Sequence, residues 1–202
     1  MAAVRVGGTI THNEHTEGIL GRRRLEFRAG REAARRAIVA LSPQLPTRVA
    51  KGPGGEPLWP SGLVGSITHT ADLAAAAVAR AERIRGIGID SERVLDPDLA
   101  REVQGLICSS AELTSGLALV DDTLVGLTLA FSAKESLFKC LAPSVGRYFD
   151  FLDAAIVDVS RGTFRIQLVR ALLPELQQGW SVQGRFEVLD GIVHTGICWP
   201  RA

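Results

Sequence analysis

The spacing of apolar and polar positions changes along this chain, and each change of period predicts an element. In the stretch 21–41, Ala34, Ala37, Ile38 and Leu41 recur at helical spacing while Arg24, Arg28, Arg31 and Arg35 recur on another face. This predicts a helix with one core stripe and one cationic stripe. Residues 42–62 turn to Ser, Pro and Gly, and Pro43, Pro46, Pro53, Pro57 and Pro60 exclude a regular helix or a central strand, leaving a draped loop. Strand patterns then begin. Residues 65–70 and 74–80 read as two strands joined at Ala71-Asp72, and 84–90 as a third that ends at Asp90.

Between 93 and 127 the pattern is weaker: Asp96-Pro97 predicts a turn, residues 99–107 a short helix, and Asp121-Asp122 a break. A helix from Ser132 to Leu141 is expected to stop before Pro143, because a proline drives the residue ahead of it out of helical backbone. Four strands follow, at 154–159, 164–169, 180–188 and 192–199, the last two meeting in a turn at Asp190-Gly191. Helices with antiparallel hairpins predict an α+β fold. The strand pairs ending at Val78 and Ile197 are alike in pattern, a weak internal repeat in which each half is a helix followed by a small antiparallel sheet.

Composition narrows the class. A chain of 202 residues can bury a core as one domain or two small ones. It is 46% hydrophobic with no apolar run long enough for a membrane span and no charged-then-apolar signal pattern, so a cytoplasmic location is expected. The three cysteines, Cys108, Cys140 and Cys198, lie far apart without a C-x-x-C pair, which argues against a disulfide framework or a zinc site. A net charge of +1 excludes a strongly basic nucleic-acid binder, so any anion site must be local.

Candidate chemistry lies in two of these elements. In Gly86-Ile87-Gly88-Ile89-Asp90-Ser91-Glu92, strand alternation puts Asp90 and Glu92 on one face. Asp90 follows an apolar run, where a carboxylate is costly unless a cation or donors are near. In Phe131-Ser132-Ala133-Lys134-Glu135-Ser136-Leu137-Phe138-Lys139, Glu135 and Lys139 stand four apart and share a helix face. Together the acids and the lysine fit a magnesium site for phosphate transfer. Each motif also has a plain structural reading. Ser132-Ala133-Lys134-Glu135 has the form of a capping box, Asp90-Ser91-Glu92 can end a strand in solvent, and a charged stripe is ordinarily a solvated face, although guanidinium groups also grip phosphate oxygens. Of the four histidines only His69 has such neighbours; His12 and His15 lie in a polar N-terminal stretch and His194 in the last hairpin. Zinc is disfavoured, since no H-E-x-x-H or paired spacing exists.

The two acidic motifs resemble those of the 4′-phosphopantetheinyl transferases, G-[IV]-D-x-E and [FW]-[SCT]-x-K-E-[SA]-x-x-K, in the same order. The similarity is to the larger, pseudo-dimeric type that serves siderophore, polyketide and fatty-acid carrier proteins. Gly55-Glu56-Pro57-Leu58-Trp59-Pro60 and Gly65-Ser66-Ile67-Thr68-His69 are similar to the family's G-x-P-x-W-P and G-S-[IL]-[ST]-H segments, and the run from Arg23 to Arg31 to its arginine-rich entry helix. The resemblance covers residues 20 to 142; beyond it only the strand pattern agrees.

The resemblance implies two similar halves related by pseudo-two-fold symmetry with a catalytic cleft between them. Residues 1–100 would carry the coenzyme A arginines, His69 and the first acidic motif, and residues 101–202 the helix of Lys134, Glu135 and Lys139. It implies attack by a serine of an apo acyl or peptidyl carrier protein on the phosphorus bearing pantetheine, with release of adenosine 3′,5′-bisphosphate, in a monomeric enzyme without nucleic-acid partners. Mg²⁺ would lie on Asp90, Glu92 and Glu135, since it binds through a few carboxylates plus substrate phosphates. Lys139 would neutralise or protonate the departing phosphate, and Glu135, with Glu92 second, would be the base. Arg24, Arg31 and His69 would hold the phosphates of coenzyme A, assisted by Ser66 and Thr68. Where family members often have a lysine just before G-x-P this chain has Gly54, and Lys51 is the nearest replacement. A magnesium-dependent phosphohydrolase and a non-catalytic coenzyme A or carrier-binding module are the competing readings.

Overall fold

The computed structural model describes residues 4–6, 19–118 and 120–201; His12 and His15 lie outside the described residues. The architecture is α+β, and the chain divides into two compact units: residues up to Ile87 together with 200–202, and Gly88–Trp199.

In the first unit, helix α1 (Ile19–Leu41) packs on an antiparallel sheet of strands β1 (Val4–Val6), β5 (Ala74–Arg80) and β4 (Leu63–His69), in the order β1-β5-β4. The expected core stripe is present: Ala33, Ala34, Ala37 and Ile38 are buried against Leu63 and Ala76. Small residues on both partners bring helix and sheet close, and a Cβ on Gly30 would stand 2.9 Å from Ile67 Cγ2. The proline-rich stretch forms only the two-residue strands β2 (Ala50–Lys51) and β3 (Pro57–Leu58), turned by Gly55 at φ +93°.

The second unit is a five-stranded sheet packed against helix α4 (Thr123–Val145), with helices α2 (Pro97–Ile107) and α3 (Ser110–Thr114) on the chain between β6 and α4. The sheet order is β6-β10-β9-β8-β7, where β6 is Ile84–Arg93, β7 Ala154–Ser160, β8 Thr163–Leu168, β9 Ser181–Leu189 and β10 Ile192–Pro200. Leu129, Ala133, Leu137 and Leu141 of α4 share a core with Ile156, Phe164, Ile166, Val193 and Ile197 of the sheet. The hairpin turn between β9 and β10 has positive φ at both Asp190 (52°) and Gly191 (72°), the backbone that a two-residue turn needs to match strand twist.

Four expectations are corrected. Helix α4 starts at Thr123, nine residues before Ser132, with Asp122 as its N-cap accepting from the Leu124 and Val125 amides. Ser132 is therefore interior and the capping box is absent. The helix also runs through Pro143 to Val145 and closes at Gly146 in the left-handed conformation, because a proline this close to the C-terminus removes only one ladder bond. Strand β6 continues past Asp90 to Arg93, so Asp90 is a buried strand residue and not a strand end. The Asp96-Pro97 turn is the start of α2: Asp96 caps it and Pro97 takes the first helical position, where no amide is needed.

Strand β6 meets α4 at backbone contact. A Cβ on Gly88 would fall 1.7 Å from the Ser136 carbonyl oxygen. Gly88→Ala is accordingly expected to cost about 1–3 kcal/mol or more, as overpacking against immovable backbone does. Gly105→Ala, in α2 with nothing within 4 Å, is expected to be neutral or to stabilise by up to about 1 kcal/mol. Urea denaturation of both variants checks this, and equal behaviour would contradict the close approach.

Candidate active site

The contact of β6 with α4 puts the two acidic motifs against each other. Asp90 is buried at 3% exposure, and the Lys139 ammonium donates to its Oδ1 at 2.6 Å and to the Ile89 carbonyl at 3.4 Å. Glu135, one turn before Lys139, lies on the same face of α4 and borders a cavity of about 90 Å³ lined by Phe138, Tyr148, Phe149 and Phe151. Phe138 packs on Tyr148 and Phe149 with ring centroids 5.7 and 5.1 Å apart. An apolar slot thus opens beside a carboxylate.

Partial burial pushes the Glu92 carboxyl up to about 7, helped by the negative charges of Asp90 and Glu135 and opposed by Lys139. Burial likewise raises Glu135, with Asp90 adding to the effect and Lys139 opposing it. These mutual influences bring Asp90, Glu92, Glu135 and Lys139 into one electrostatic cluster. Its donors are carboxylate oxygens only, which suits a hard, oxygen-seeking cation that takes few protein ligands. Among the described residues no three His, Cys, Asp or Glu side chains are already gathered closely enough to hold a metal ion.

Neighbouring motif residues do other work. Lys134 points away from Glu135 into the core, where its ammonium donates to Glu112 Oε2 and to the Ile107 carbonyl, both at 2.7 Å. Glu112 Oε1 in turn accepts from the Ile156 amide at 2.8 Å. This buried pair ties α4 to the end of α2, to α3 and to β7; nothing in the sequence around Glu112 marks it as the partner. Ser91, between the two acids, shares a 2.9 Å hydrogen bond with His194 Nδ1. Ser132 and Ser136 both bond the Thr195 hydroxyl, at 2.9 and 2.7 Å.

The remaining candidates belong to the first unit. Arg31 is half-buried, stacks over Phe27 at 4.6 Å and donates to the Ala50 carbonyl at 3.3 Å, next to Lys51. Its Nε is buried without a hydrogen-bond partner, and burial lowers its pKa, as expected of a guanidinium lacking an anion. Arg24, two turns earlier, and Lys51 are exposed. Arg35 differs from the rest of its stripe: it forms a double hydrogen bond with Glu32, which also takes Arg36. On β4, Ser66 and Thr68 are buried and His69 is exposed.

A family model described as the 4′-phosphopantetheinyl transferase N-terminal domain matches residues 12–79, and one described as the 4′-phosphopantetheinyl transferase superfamily matches residues 86–189. The chain belongs to the 4′-phosphopantetheinyl transferase superfamily. It is 34% identical to the 4′-phosphopantetheinyl transferase Npt of Nocardia iowensis over 88% of this chain and 83% of the relative. It is 35% identical to Svp of Streptomyces mobaraensis over 91% and 75%, and 36% identical to enterobactin synthase component D of Salmonella typhimurium over 67% and 56%. The protein is thus a transferase that moves phosphopantetheine to carrier proteins, with coenzyme A as donor. Among the described residues no helix is long and apolar enough to cross a membrane.

The raised Glu92 predicts a pH effect. With a folded value of about 7 against an ordinary 4.5, the folded state keeps a proton that the unfolded chain releases. That contribution is complete below about 4.5 and is lost as pH rises through about 7. Glu92→Gln should therefore melt higher than wild type at pH 8 in chelator, with the gap closing by pH 5. Thermal melts across this range check it, and a constant gap would assign the effect to packing.

Proposed function

We propose that Asp90, Glu92 and Glu135 hold Mg²⁺ on the pyrophosphate of coenzyme A, and that Glu135 and Lys139 carry the transfer of 4′-phosphopantetheine to a carrier serine. The observation that supports this most directly is the 2.6 Å contact of Lys139 with buried Asp90, one turn from Glu135 at the mouth of an aromatic cavity. When bound, the ion would supply Lewis-acid stabilisation of the pyrophosphate charge. Glu135 takes the proton of the serine hydroxyl as its oxygen bonds the phosphorus bearing pantetheine. The bond from that phosphorus to the bridging oxygen breaks, and Lys139 neutralises the departing adenosine 3′,5′-bisphosphate. The cavity beside Glu135 suits the apolar stretches of the pantetheine arm.

Glu92 is the second reading for the base, favoured by a carboxyl held near neutral pH, where a general base works best. Arg24, Arg31, Lys51, Ser66, Thr68 and His69 hold the phosphates and nucleotide; the unpartnered Arg31 Nε supports this for Arg31. The shared plan of a 23-residue helix with an antiparallel sheet in each unit supports duplicated, pseudo-symmetric halves. We read the enzyme as a cytoplasmic monomer.

Incubation with coenzyme A, Mg²⁺ and an apo-carrier protein, with products weighed, tests the reaction. Mass gain on the carrier serine supports transfer; nucleotide cleavage without it supports hydrolysis, and neither supports a binding module. Glu135→Gln keeps the shape and removes the basicity, so kcat should fall by about 10²–10⁴ with little change in Tm. Retained activity would move the base to Glu92. For Arg31→Ala the KM for coenzyme A should rise, and dephospho-coenzyme A should be less affected if the contact is to the 3′-phosphate. An equal rise for both would assign it to the pyrophosphate.

A further inference from the structure

We infer that Lys139 is an exchangeable counter-ion for Asp90, one that a divalent ion must displace and that keeps the enzyme without coenzyme A a weak metal binder. The inference rests on the magnesium reading above. The two partners of the ion pair differ in freedom. The Asp90 side chain is 4% exposed, within a strand whose neighbour Gly88 touches the Ser136 carbonyl, so the carboxylate has nowhere to go. The Lys139 side chain is 28% exposed, on a flexible four-carbon stem, so the ammonium can leave.

Three carboxylates share this site, and Lys139 opposes the repulsion among them at both Glu92 and Glu135. The lysine thus supplies positive charge of the kind a metal would bring. A divalent ion on Asp90 would stand within a carboxylate's width of the ammonium, where like charges repel strongly in protein surroundings. Metal entry then favours release of Lys139 from Asp90 Oδ1, and a phosphate oxygen is a well-matched new acceptor for it. Coenzyme A, by drawing off the lysine, and the metal, by taking the aspartate, each improve the other's binding, as linkage requires.

This reverses the usual sign for a residue in the reaction machinery, since loss of Lys139 should impair transfer yet tighten metal binding. The test titrates Mn²⁺, read by water-proton relaxation, into the full-length protein without coenzyme A. Groups beside a metal ligand commonly change affinity by about 10–100-fold, and Lys139→Met is expected to bind about 10-fold tighter than wild type. Lys139→Arg, which keeps the charge, should stay near wild type. If Lys139→Met binds Mn²⁺ equally or more weakly while Asp90→Ala abolishes binding, the counter-ion role is overturned and the metal site stands. If Asp90→Ala binds as wild type does, the metal reading fails and takes this inference with it.

Discussion

The approach of strand β6 to helix α4 at Gly88 is the contact that brings the two acidic motifs together. Backbone lies on backbone there, with no room for a side chain between Gly88 and the Ser136 carbonyl. Two residues further along the strand, alternation returns to the same face and delivers Asp90; one turn along the helix from Ser136 stands Lys139. A wider separation would move the carboxylate out of reach of the ammonium that meets it at 2.6 Å.

Hydroxyl groups lock this contact from the next strand. Thr195 of β10 donates to the Ser132 carbonyl at 2.9 Å and accepts from the Ser132 and Ser136 hydroxyls, so its one proton and both lone pairs are used. All three residues are buried, and a fully satisfied polar group in a core holds register in a way that apolar packing alone does not. The Lys134–Glu112 pair does the same for the other side of α4, fastening it to α2, α3 and β7. Consecutive residues on a helix diverge by about 100°. Lys134 therefore serves the core while Glu135 faces the aromatic cavity.

The first unit is built with less specificity and more proximity. Alanines on α1 and β5 and Gly30 against Ile67 let the helix settle close on its sheet. The cost of a half-buried guanidinium at Arg31 is partly offset by its stacking on Phe27 and its bond to Ala50, and its free Nε leaves capacity for an anion. Arg35 and Arg36 have given theirs to Glu32.

Much of this was written locally in the sequence. Alternation located β4, β5 and the strands of the second sheet to within a few residues, Asp190-Gly191 marked its hairpin turn, and four-residue spacing paired Glu135 with Lys139 on one face. Those features depend on an element having one wet side and one dry side, which leaves a period to read. Helix α4 is buried almost all round from Gly126 to Ser136, so its first turns carry no period and only the packed structure shows that it begins at Thr123. The partners of Lys134, Thr195 and Asp90 lie 22 to 63 residues away. No local spacing encodes such a distance; the folding of α4 against the sheet decided which charge met which.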